Sequence, residues 1–271
     1  MLYFDVECGL VGDALSAIPY IMHHYAQDTA GPSYIGMDFN PWVLEGIRWP
    51  FYLRHLPGPS VPPEAKIIPV KPTIAWNHGH SHGWPGHMAE MHFAAAKIKP
   101  ERNVFAIPLK RAYNVNFFPD VVMAPFSITN SPDNNKKWPD HYWSDFIRWA
   151  NQHGMRVTVL GSATDDVSPY VAAGAEPFQG HPLAEVVDVL ARCRLLVSVD
   201  TGIGHLGTML NMRNHVMIYG RCLPPKFAET PFGQNVYGAF PRSIQPASVI
   251  AAAKKVLDSV QVPHYTPVTF S

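Results

Sequence analysis

The 271-residue chain has few cysteines, few charged residues and no long apolar run. Its three cysteines, Cys8, Cys193 and Cys222, form no CxxC pair, and an odd number argues against a disulfide framework. No apolar run approaches the roughly 18 residues of a membrane helix. The opening residues MLYFDVECGL lack the basic segment of a signal peptide. We therefore expect a reduced, soluble, cytoplasmic protein with no membrane span.

The chain also lacks an excess of charge of either sign. Lysine plus arginine and aspartate plus glutamate number 21 each, so the formal net charge is zero. Bulk charge therefore attracts neither a polyanion nor an acidic membrane surface. Charged residues make up only 15%, and the 27 prolines and 14 histidines indicate many shaped loops. Hydrophobic residues, at 47%, suffice for the core of one large domain or two small ones.

Short apolar runs alternate with helical patterns, which is typical of an α/β chain with parallel sheets. We predict strands at residues 2–6, 34–39, 67–70, 73–77, 104–107, 121–124, 155–160, 195–199 and 215–219. We predict helices at residues 13–27, near 87–99, 139–152, 183–193, 204–211 and 246–260. The pattern restarts near Asp120. We therefore expect an N-terminal domain of residues 1–115 and a C-terminal domain of residues 116–271, with a final helix able to cross back.

The segment VSVDTGIGHL combines the end of a buried strand with the start of a helix. Ligands of open parallel sheets bind beyond the carboxyl ends of the strands. Thr201 and Gly202 can present backbone N–H groups there, and the helix dipole favours an anion. The alternative is that Asp200 or Thr201 merely caps the helix. His205, one turn into the helix, is by itself more often a structural histidine.

The segment APFSITNSPDNNKKWPDHYW follows another predicted strand. Its polar loop carries Ser127, Thr129, Lys136 and Lys137, and hydroxyls with a lysine can hold a diphosphate without glycine-rich packing. The alternative is a solvated turn before a helix that starts near Pro139.

The segment GLVGDALSAIP follows the first predicted strand. Gly9 and Gly12 permit a tight turn, and Asp13 stands where the helix starts. An acid at that position is stabilised by the helix dipole, so capping is one interpretation. The other is a carboxylate that acts as a general base in a cleft.

Together the three segments resemble the ADP-heptose:lipopolysaccharide heptosyltransferase family, glycosyltransferase family 9. GDALSAIP, KKWPDHYW and VSVDTGIGHL follow the order and approximate spacing of the family patterns G-D-x-L-x-x-x-P, K-x-W-P and D-T-G-x-x-H-L. GHPLAEVVDVLARCRLLVSVDTG is the most specific continuous match. The resemblance implies a GT-B fold, in which two Rossmann-like domains face each other across a cleft and the C-terminal one binds a nucleotide-sugar.

The resemblance also implies a role for each matching residue. Asp13 matches the proposed base, and Lys136 matches the lysine that neutralises the leaving diphosphate. For the donor, the positions that match the diphosphate and sugar site are Ser127, Thr129, Asp200, Thr201 and Gly202, with His205 in a supporting role. The main chain at Gly180 and His181 is expected to meet the base. Asp165 or Asp166 is expected to bind the ribose. The acceptor side is expected near Gly12, Asn77 and His78.

The first 100 residues depart from the family pattern. They are rich in tryptophan, histidine and proline, whereas relatives that act on lipopolysaccharide use basic residues against lipid phosphates. The acceptor therefore stays open between a saccharide, a protein side chain and a modified nucleobase. The sequence does not give the oligomeric state.

The segment WNHGHSHGWPGHMAEMH has a histidine spacing that allows metal binding. His78, His80 and His82 could chelate zinc or a similar ion. The family places a strand end facing the cleft at this point, and GT-B transfer needs no metal. We therefore expect a wall of the acceptor site, no metal and no required cofactor.

These expectations combine into an inverting glycosyltransferase that moves a heptose-like sugar from an ADP-linked donor to an acceptor hydroxyl. An epimerase of the same fold is the near alternative, although it would not need the G-D-x-L-x-x-x-P match. A catalytically silent nucleotide-binding module is the alternative from another class, and it would need neither Asp13 nor Lys136.

Overall fold

A computed structural model describes residues 1–27, 33–36, 38–49, 53–56, 61, 63–71, 88–99, 107, 109–110, 112, 115, 118–127, 136–220 and 229–259. These residues fall into two compact units. The first unit lies within Met1–Lys110, and the second lies within Arg111–Pro224 and Glu229–Thr266.

The first unit is a parallel sheet with helices. Its strands are β1 (Leu2–Val6), β2 (Ser33–Gly36), β3 (Leu53–Leu56) and β4 (Lys66–Val70), and its helices are α1 (Val11–Gln27), α2 (Pro41–Gly46) and α3 (Met88–Ala95). The sheet order is β3-β2-β1-β4, and every described pairing is parallel. Helix α1 packs on α3, and its side chains Leu15, Ile18 and Ile21 are fully buried.

The second unit contains a larger parallel sheet. Its strands are β5 (Val121–Ala124), β6 (Val157–Gly161), β7 (Glu176–Gln179), β8 (Leu195–Val199), β9 (His215–Tyr219) and β10 (Gln234–Tyr237). Its α-helices are α4 (Asp140–Gln152), α5 (Ser168–Ala172), α6 (Leu183–Leu190), α7 (Gly202–Met209) and α8 (Pro246–Ser259). The sheet order β10-β9-β8-β5-β6-β7 is the Rossmann order, with the switch point between β5 and β8.

The central strands form because their residues are buried on both faces. All residues of β5, β8 and β9 are buried, and continuous aliphatic runs of this kind are typical of parallel sheets covered by helices. Trp138, Trp143 and Phe146 complete the core on one side of the sheet.

The last described helix, α8, belongs to the second unit. Val249, Ala253 and Val256 join the core that contains Trp143 and Phe146. The apolar stripe of α8 is buried there. No helix in the described part of the chain has the length and hydropathy needed to cross a membrane.

Several predicted elements match the observed bounds, and others were missed. The strands at residues 2–6, 121–124, 195–199 and 215–219 are confirmed. The helix predicted at residues 204–211 begins two residues earlier, at Gly202, and the one at 13–27 begins at Val11. Residues 73–77 and almost all of 104–107 lie outside the described residues. The elements not predicted are α2, β3, α5, β7 and β10.

Candidate active site

The candidate site of the second unit lies at the switch point of its sheet. Strands β5 and β8 are direct neighbours, with Ala124 paired to Ser198. Ser127 follows β5 by three residues, and Asp200 follows β8 directly, so both lie at the carboxyl edge. The strand order reverses between β5 and β8, so the loops that follow these two strands separate at this edge. Ligands of open α/β sheets bind in the crevice between such loops.

Helix α7 begins at this edge, and its first backbone donors have no partner within the helix. Thr201 is the residue before the helix, and its side chain makes no capping hydrogen bond. The first helical bond runs from the His205 N–H to the Thr201 carbonyl at 3.0 Å. The N–H groups of Gly202, Ile203 and Gly204 precede that bond and have no partner within the helix. Thr201 thus stands at the N-cap position without a side-chain capping bond, and a helix start of this kind is suited to an anion.

Three side chains with complementary charge meet at the start of α7. The Lys136 ammonium lies 2.7 Å from Oδ2 of Asp200, and Nε2 of His205 lies 3.5 Å from Oδ1 of the same carboxylate. That second distance is the limit of a hydrogen bond, and Oδ1 has no closer donor among the described residues. Asp200 therefore bridges a cation and an imidazole.

The environment of Asp200 keeps its carboxylate ionised. Burial would raise the pKa of Asp200, because it penalises the charged form. The nearby His205 and the charge of Lys136 outweigh burial and hold the pKa of Asp200 well below its usual range. The carboxylate is thus negative at neutral pH, and it pairs with Lys136 rather than with an incoming phosphate.

The position of Lys136 is fixed by the tryptophan that follows it. Trp138 is fully buried, donates its indole N–H to the Ile244 carbonyl at 2.8 Å and packs edge-to-face on Trp143. Pro139 then caps the start of α4. The adjacent Lys137 is 61% exposed and pairs with Asp140 at 2.9 Å, so the structure separates the two lysines.

Helix α7 packs closely on β8 and β9, where its glycines lie against a buried polar pair. The hydroxyl of Ser198 and Nε2 of His215 are 2.8 Å apart, and both residues are fully buried. A Cβ on Gly204 would lie 2.8 Å from the Ser198 hydroxyl, and one on Gly207 would lie 3.2 Å from Nδ1 of His215. Only glycine lets α7 approach this closely. Sequence analysis missed this polar pair, although the G-x-x-G spacing indicates close helix packing.

The predicted ribose and base residues lie together at the ends of β6 and β7. Gly180 has φ +67°, and its N–H donates to the Gly161 carbonyl at 3.0 Å. Asp165 accepts the Ser162 N–H at 2.6 Å, and its carbonyl accepts Nε2 of Gln179 at 2.7 Å. The loop with Asp165 is thereby tied to the strand that ends before Gly180.

The alternative ribose residue, Asp166, has a different local role. Its Oδ1 accepts both the N–H and the hydroxyl of Ser168, at the start of α5. These hydrogen bonds lower the pKa of Asp166. Of the two acids, Asp165 is the one tied to the end of β7.

The turn at His181 contains an aromatic stack that sequence analysis did not anticipate. The His181 ring lies parallel to Phe178 at 3.6 Å between centroids, and its Nδ1 is 2.6 Å from Glu185 Oε2. Phe178 is brought there by β7, a short and partly exposed strand that the sequence did not predict.

Asp13 lies at the carboxyl edge of the sheet in the first unit. It is the third residue of α1, which follows β1, and it is half-buried. Helix α1 begins before Asp13, so this residue is not the N-cap, although its charge still suits the helix start. Gly12 beside it is buried.

Asn40 holds the loop before Asp13, and sequence analysis missed it. Its Nδ2 donates to the Gly9 carbonyl at 2.8 Å, and its Oδ1 accepts the Val43 N–H at 3.2 Å as the cap of α2. The dipeptide Asn40-Pro41 was a readable signal, because asparagine is favoured at the N-cap and proline at the first helical position.

Some predicted site residues lie outside the described residues. They are Thr129, Asn77 and His78, and the histidines at 80, 82 and 87 lie outside as well. Within the described part of the chain, no three histidine, cysteine or acidic side chains are grouped to bind a metal.

Comparisons with known proteins agree on one family. Residues 90–248, more than half of the chain, match the profile described as glycosyltransferase family 9 (heptosyltransferase). Lipopolysaccharide heptosyltransferase 1 of Pseudomonas aeruginosa is 37% identical over 82 residues, which cover 28% of this chain and 23% of that protein. The chain thus aligns with about a quarter of the length of this curated relative.

Solved structures extend the likeness to nearly the whole chain. A family 9 glycosyltransferase from Veillonella parvula aligns with a TM-score of 0.69 at 12% identity, covering 96% of this chain and 97% of its own. The dodecameric iron-containing heptosyltransferase TibC from Escherichia coli, in complex with ADP-D-β-D-heptose, has a TM-score of 0.69 at 17% identity, covering 95% of this chain and 76% of its own. The fold is therefore GT-B, and the chain belongs to glycosyltransferase family 9.

Proposed function

We propose that the protein is an inverting glycosyltransferase that moves a heptose-like sugar from an ADP-linked donor to an acceptor hydroxyl. The observation that carries this proposal is the Lys136–Asp200 pair at the start of α7, at the switch point of the second sheet. A lysine beside the N–H groups at a helix start is suited to a diphosphate. The ADP-heptose in the TibC complex supports the choice of donor.

The proposed donor lies along the carboxyl edge of the second sheet. Its diphosphate contacts Lys136, Ser127 and the backbone at Thr201 and Gly202, with Thr129 proposed nearby. Its base meets the main chain at Gly180 and His181, and its ribose meets Asp165. Hydrogen bonds of Gly180 to Gly161 and of Gln179 to the Asp165 carbonyl hold the loops of β6 and β7 together there.

Asp13 is the proposed general base. It takes the proton of the acceptor hydroxyl while that oxygen bonds to the anomeric carbon, and the bond from carbon to the diphosphate oxygen breaks. Attack on the face opposite the leaving group inverts the anomeric centre. Lys136 and the start of α7 stabilise the charge that develops on the departing diphosphate. Gly12, Asn77 and His78 are proposed on the acceptor side.

The proposed transfer uses no metal and no cofactor beyond the nucleotide-sugar. The acceptor class stays open between a saccharide, a protein side chain and a modified nucleobase. We also propose a cytoplasmic location, since Cys8 and Cys193 are both free and buried.

Nucleotide binding tests the proposal first. We expect ADP to raise the melting temperature, since a ligand of the folded state stabilises it by mass action. UDP and GDP should raise it less. A large shift with UDP or GDP and none with ADP would contradict the adenine assignment.

Slow hydrolysis of ADP-sugars without acceptor separates an enzyme from a silent nucleotide-binding module. We expect release of ADP that Asp13→Asn does not abolish and Lys136→Ala slows. Binding of ADP-sugars with no hydrolysis, and with no transfer to any of the three acceptor classes, would favour the silent module.

A further inference from the structure

Two tyrosines lie in one row with Asp200 along the carboxyl edge of the second sheet. Val199, the last residue of β8, pairs with Ile218 of β9, and Tyr219 of β9 pairs with Tyr237 of β10. Asp200 follows Val199 as Tyr219 follows Ile218, so the three residues stand side by side. Neighbouring strands are about 4.8 Å apart, so the main chain of Tyr237 lies about 10 Å from that of Asp200.

Both tyrosines lie on the face of the sheet that carries α7. A Cβ on Gly204, in the first turn of α7, would lie 2.8 Å from Cε of Met217 in β9, so Met217 points toward this helix. Side chains alternate along a strand, so Tyr219 shares the face of Met217, and Tyr237 lies beside it. Val236 packs instead on the core that contains α8. The two rings therefore lie on the side of the sheet where α7 begins.

The two rings form an apolar surface that is open on one side. Tyr219 is buried, and its ring meets the ring of Tyr237 edge-to-face at 6.1 Å between centroids. The side chain of Tyr237 is 53% exposed. Exposed aromatic surface next to a polar site is typical of a ligand-binding groove.

Contacts around Tyr237 hold its ring in place. Nδ2 of Asn235 donates to the Thr230 carbonyl at 2.9 Å, and Oδ1 of Asn235 accepts the Thr230 N–H at 3.1 Å, so the loop before β10 is tied to that strand. Glu229, next to Thr230, is hydrogen-bonded to the Tyr237 hydroxyl. Burial and this hydrogen bond raise the pKa of Tyr237, so its phenol is neutral. The ring is thus positioned before any ligand binds.

The proposed donor points toward these rings. Its base is proposed at Gly180 and His181, after β7, and its diphosphate at the start of α7, after β8. In the sheet order β10-β9-β8-β5-β6-β7, the base lies on one side of the diphosphate, and β9 and β10 lie on the other. A sugar joined to the far phosphate therefore extends over the carboxyl ends of β9 and β10.

We propose that Tyr237 binds the transferred sugar, with its ring packed against the C–H groups on one face of a pyranose. This inference rests on the proposed function, and it assigns a partner to the part of the donor that carries no charge. The C–H groups of a sugar ring are weakly positive, and they suit the negative face of an aromatic ring. Tyr219 supports the Tyr237 ring at its edge.

Two ligands that differ only by the sugar test the inference. ADP and ADP-D-β-D-heptose share the base, the ribose and the diphosphate. Tyr237→Ala should weaken the binding of ADP-D-β-D-heptose by about 2–10-fold and leave the binding of ADP unchanged. Isothermal titration calorimetry measures both affinities, and an unchanged ADP affinity also verifies that the variant is folded.

Two further variants are the controls. Tyr237→Phe keeps the ring and should change neither affinity. Phe118→Ala removes a ring that is exposed to a similar degree, 55%, but that precedes β5 and so lies at the opposite edge of the same sheet. It should also leave both affinities as in the wild type.

A second measurement needs no variant. Protons above an aromatic ring are shielded by its ring current, so the sugar-ring protons of ADP-D-β-D-heptose should shift upfield in proton NMR when the ligand binds the wild type. Full ADP-D-β-D-heptose affinity in Tyr237→Ala, an equal loss for both ligands, or no upfield shift overturns the inference and leaves the proposed function standing. If neither ligand binds the wild type, the proposed function fails and the inference falls with it.

Discussion

Asp13 and Asp200 both lie at the carboxyl edge of a parallel sheet, beside its switch point, but have different surroundings. Each follows a strand beside the switch point of a parallel sheet and stands at the start of a helix. Asp200 is 7% exposed and lies between Lys136 and His205, whereas Asp13 is half-buried in the first turn of α1. A carboxylate held between a lysine and a histidine positions both side chains, and a carboxylate at an accessible helix start is suited to accept a proton. Similar places at the edge of a parallel sheet thus permit different chemistry.

The helices that carry these acids also rest on different supports. Helix α7 lies on Ser198 and His215 through its glycines, in close contact with the sheet. Helix α1 packs on α3 through aromatic rings, among them Tyr20 and His92, stacked at 5.8 Å between centroids. Both supports contain a buried histidine that must stay neutral. We therefore expect different responses in the two units. Changes at the stacked rings of α1 and α3 should act through helix packing, and changes around Asp200 should act through charge.

The largest expected effect comes from Asp13→Asn. The amide keeps the shape of the side chain but cannot accept a proton, so transfer should fall by about 10²–10⁴-fold. Nucleotide affinity should be unchanged, and stability should fall by at most about 1 kcal/mol, through the weaker helix-dipole interaction. Transfer kinetics with an identified acceptor, together with ADP binding, measure this.

Glu90→Gln is the matched control for that variant. Glu90 is the third residue of α3, as Asp13 is of α1, so the same charge is lost at the same helical position. Transfer should persist in Glu90→Gln. Near wild-type transfer by Asp13→Asn would show that Asp13 is not the general base and has only a structural role, so that it would not differ in chemistry from Asp200 in the way described above.

Lys136→Ala should have the next largest effect. Loss of one charge-assisted contact to the diphosphate costs about 1.5–3 kcal/mol, which corresponds to roughly 10–150-fold in ADP affinity or kcat/KM. If the contact strengthens as the bond to the sugar breaks, kcat falls as well as affinity. The variant also leaves the buried Asp200 carboxylate without its cation, so stability should fall.

Lys137→Ala serves as the control, because Lys137 is exposed and pairs with Asp140 instead. It should change ADP affinity little. Adding Asp200→Asn to Lys136→Ala should restore part of the lost stability, since the unpaired charge is removed. Equal effects of the two lysine variants would show that Lys136 has no special place at the site.

The smallest expected effect is on the acid stability of the first unit. Burial lowers the pKa of His92 to about 4. A histidine with a lowered folded-state pKa contributes its full stability above its unfolded value of about 6.5, and this is lost as pH falls toward 4. At pH 5 the loss is about 2 kcal/mol. His92→Phe should reduce the loss, as measured by hydrogen exchange in α1 and α3.

His153→Gln is the control for this change, because His153 is exposed. It should leave the acid response of α1 and α3 as in the wild type. An unchanged response in His92→Phe would show that other groups cause the acid sensitivity. His24 is one such group, since burial and the charges of His23 and Lys66 lower its pKa to about 4.

The sequence alone was sufficient to predict the bounds of those strands whose own residues favour an extended, buried conformation. Strands β1, β8 and β9 are rich in aliphatic and aromatic residues and are ended by turn or polar residues, so their bounds were predicted correctly. Strands β7 and β10 were not predicted. Their residues are partly exposed and include proline, glutamine and asparagine, and only pairing with β6 and β9 makes them strands.

The sequence also determined the family, because three motifs occur in order and the profile match over residues 90–248 covers two of them. It did not determine which side chains meet. Lys136 and Asp200 lie far apart along the chain, and they pair because the sheet order places β5 beside β8. Strand order is set by the packing of helices on both faces of the sheet, which no local pattern records. The partners of Asp200, and so its separation in role from Asp13, were decided by the tertiary structure.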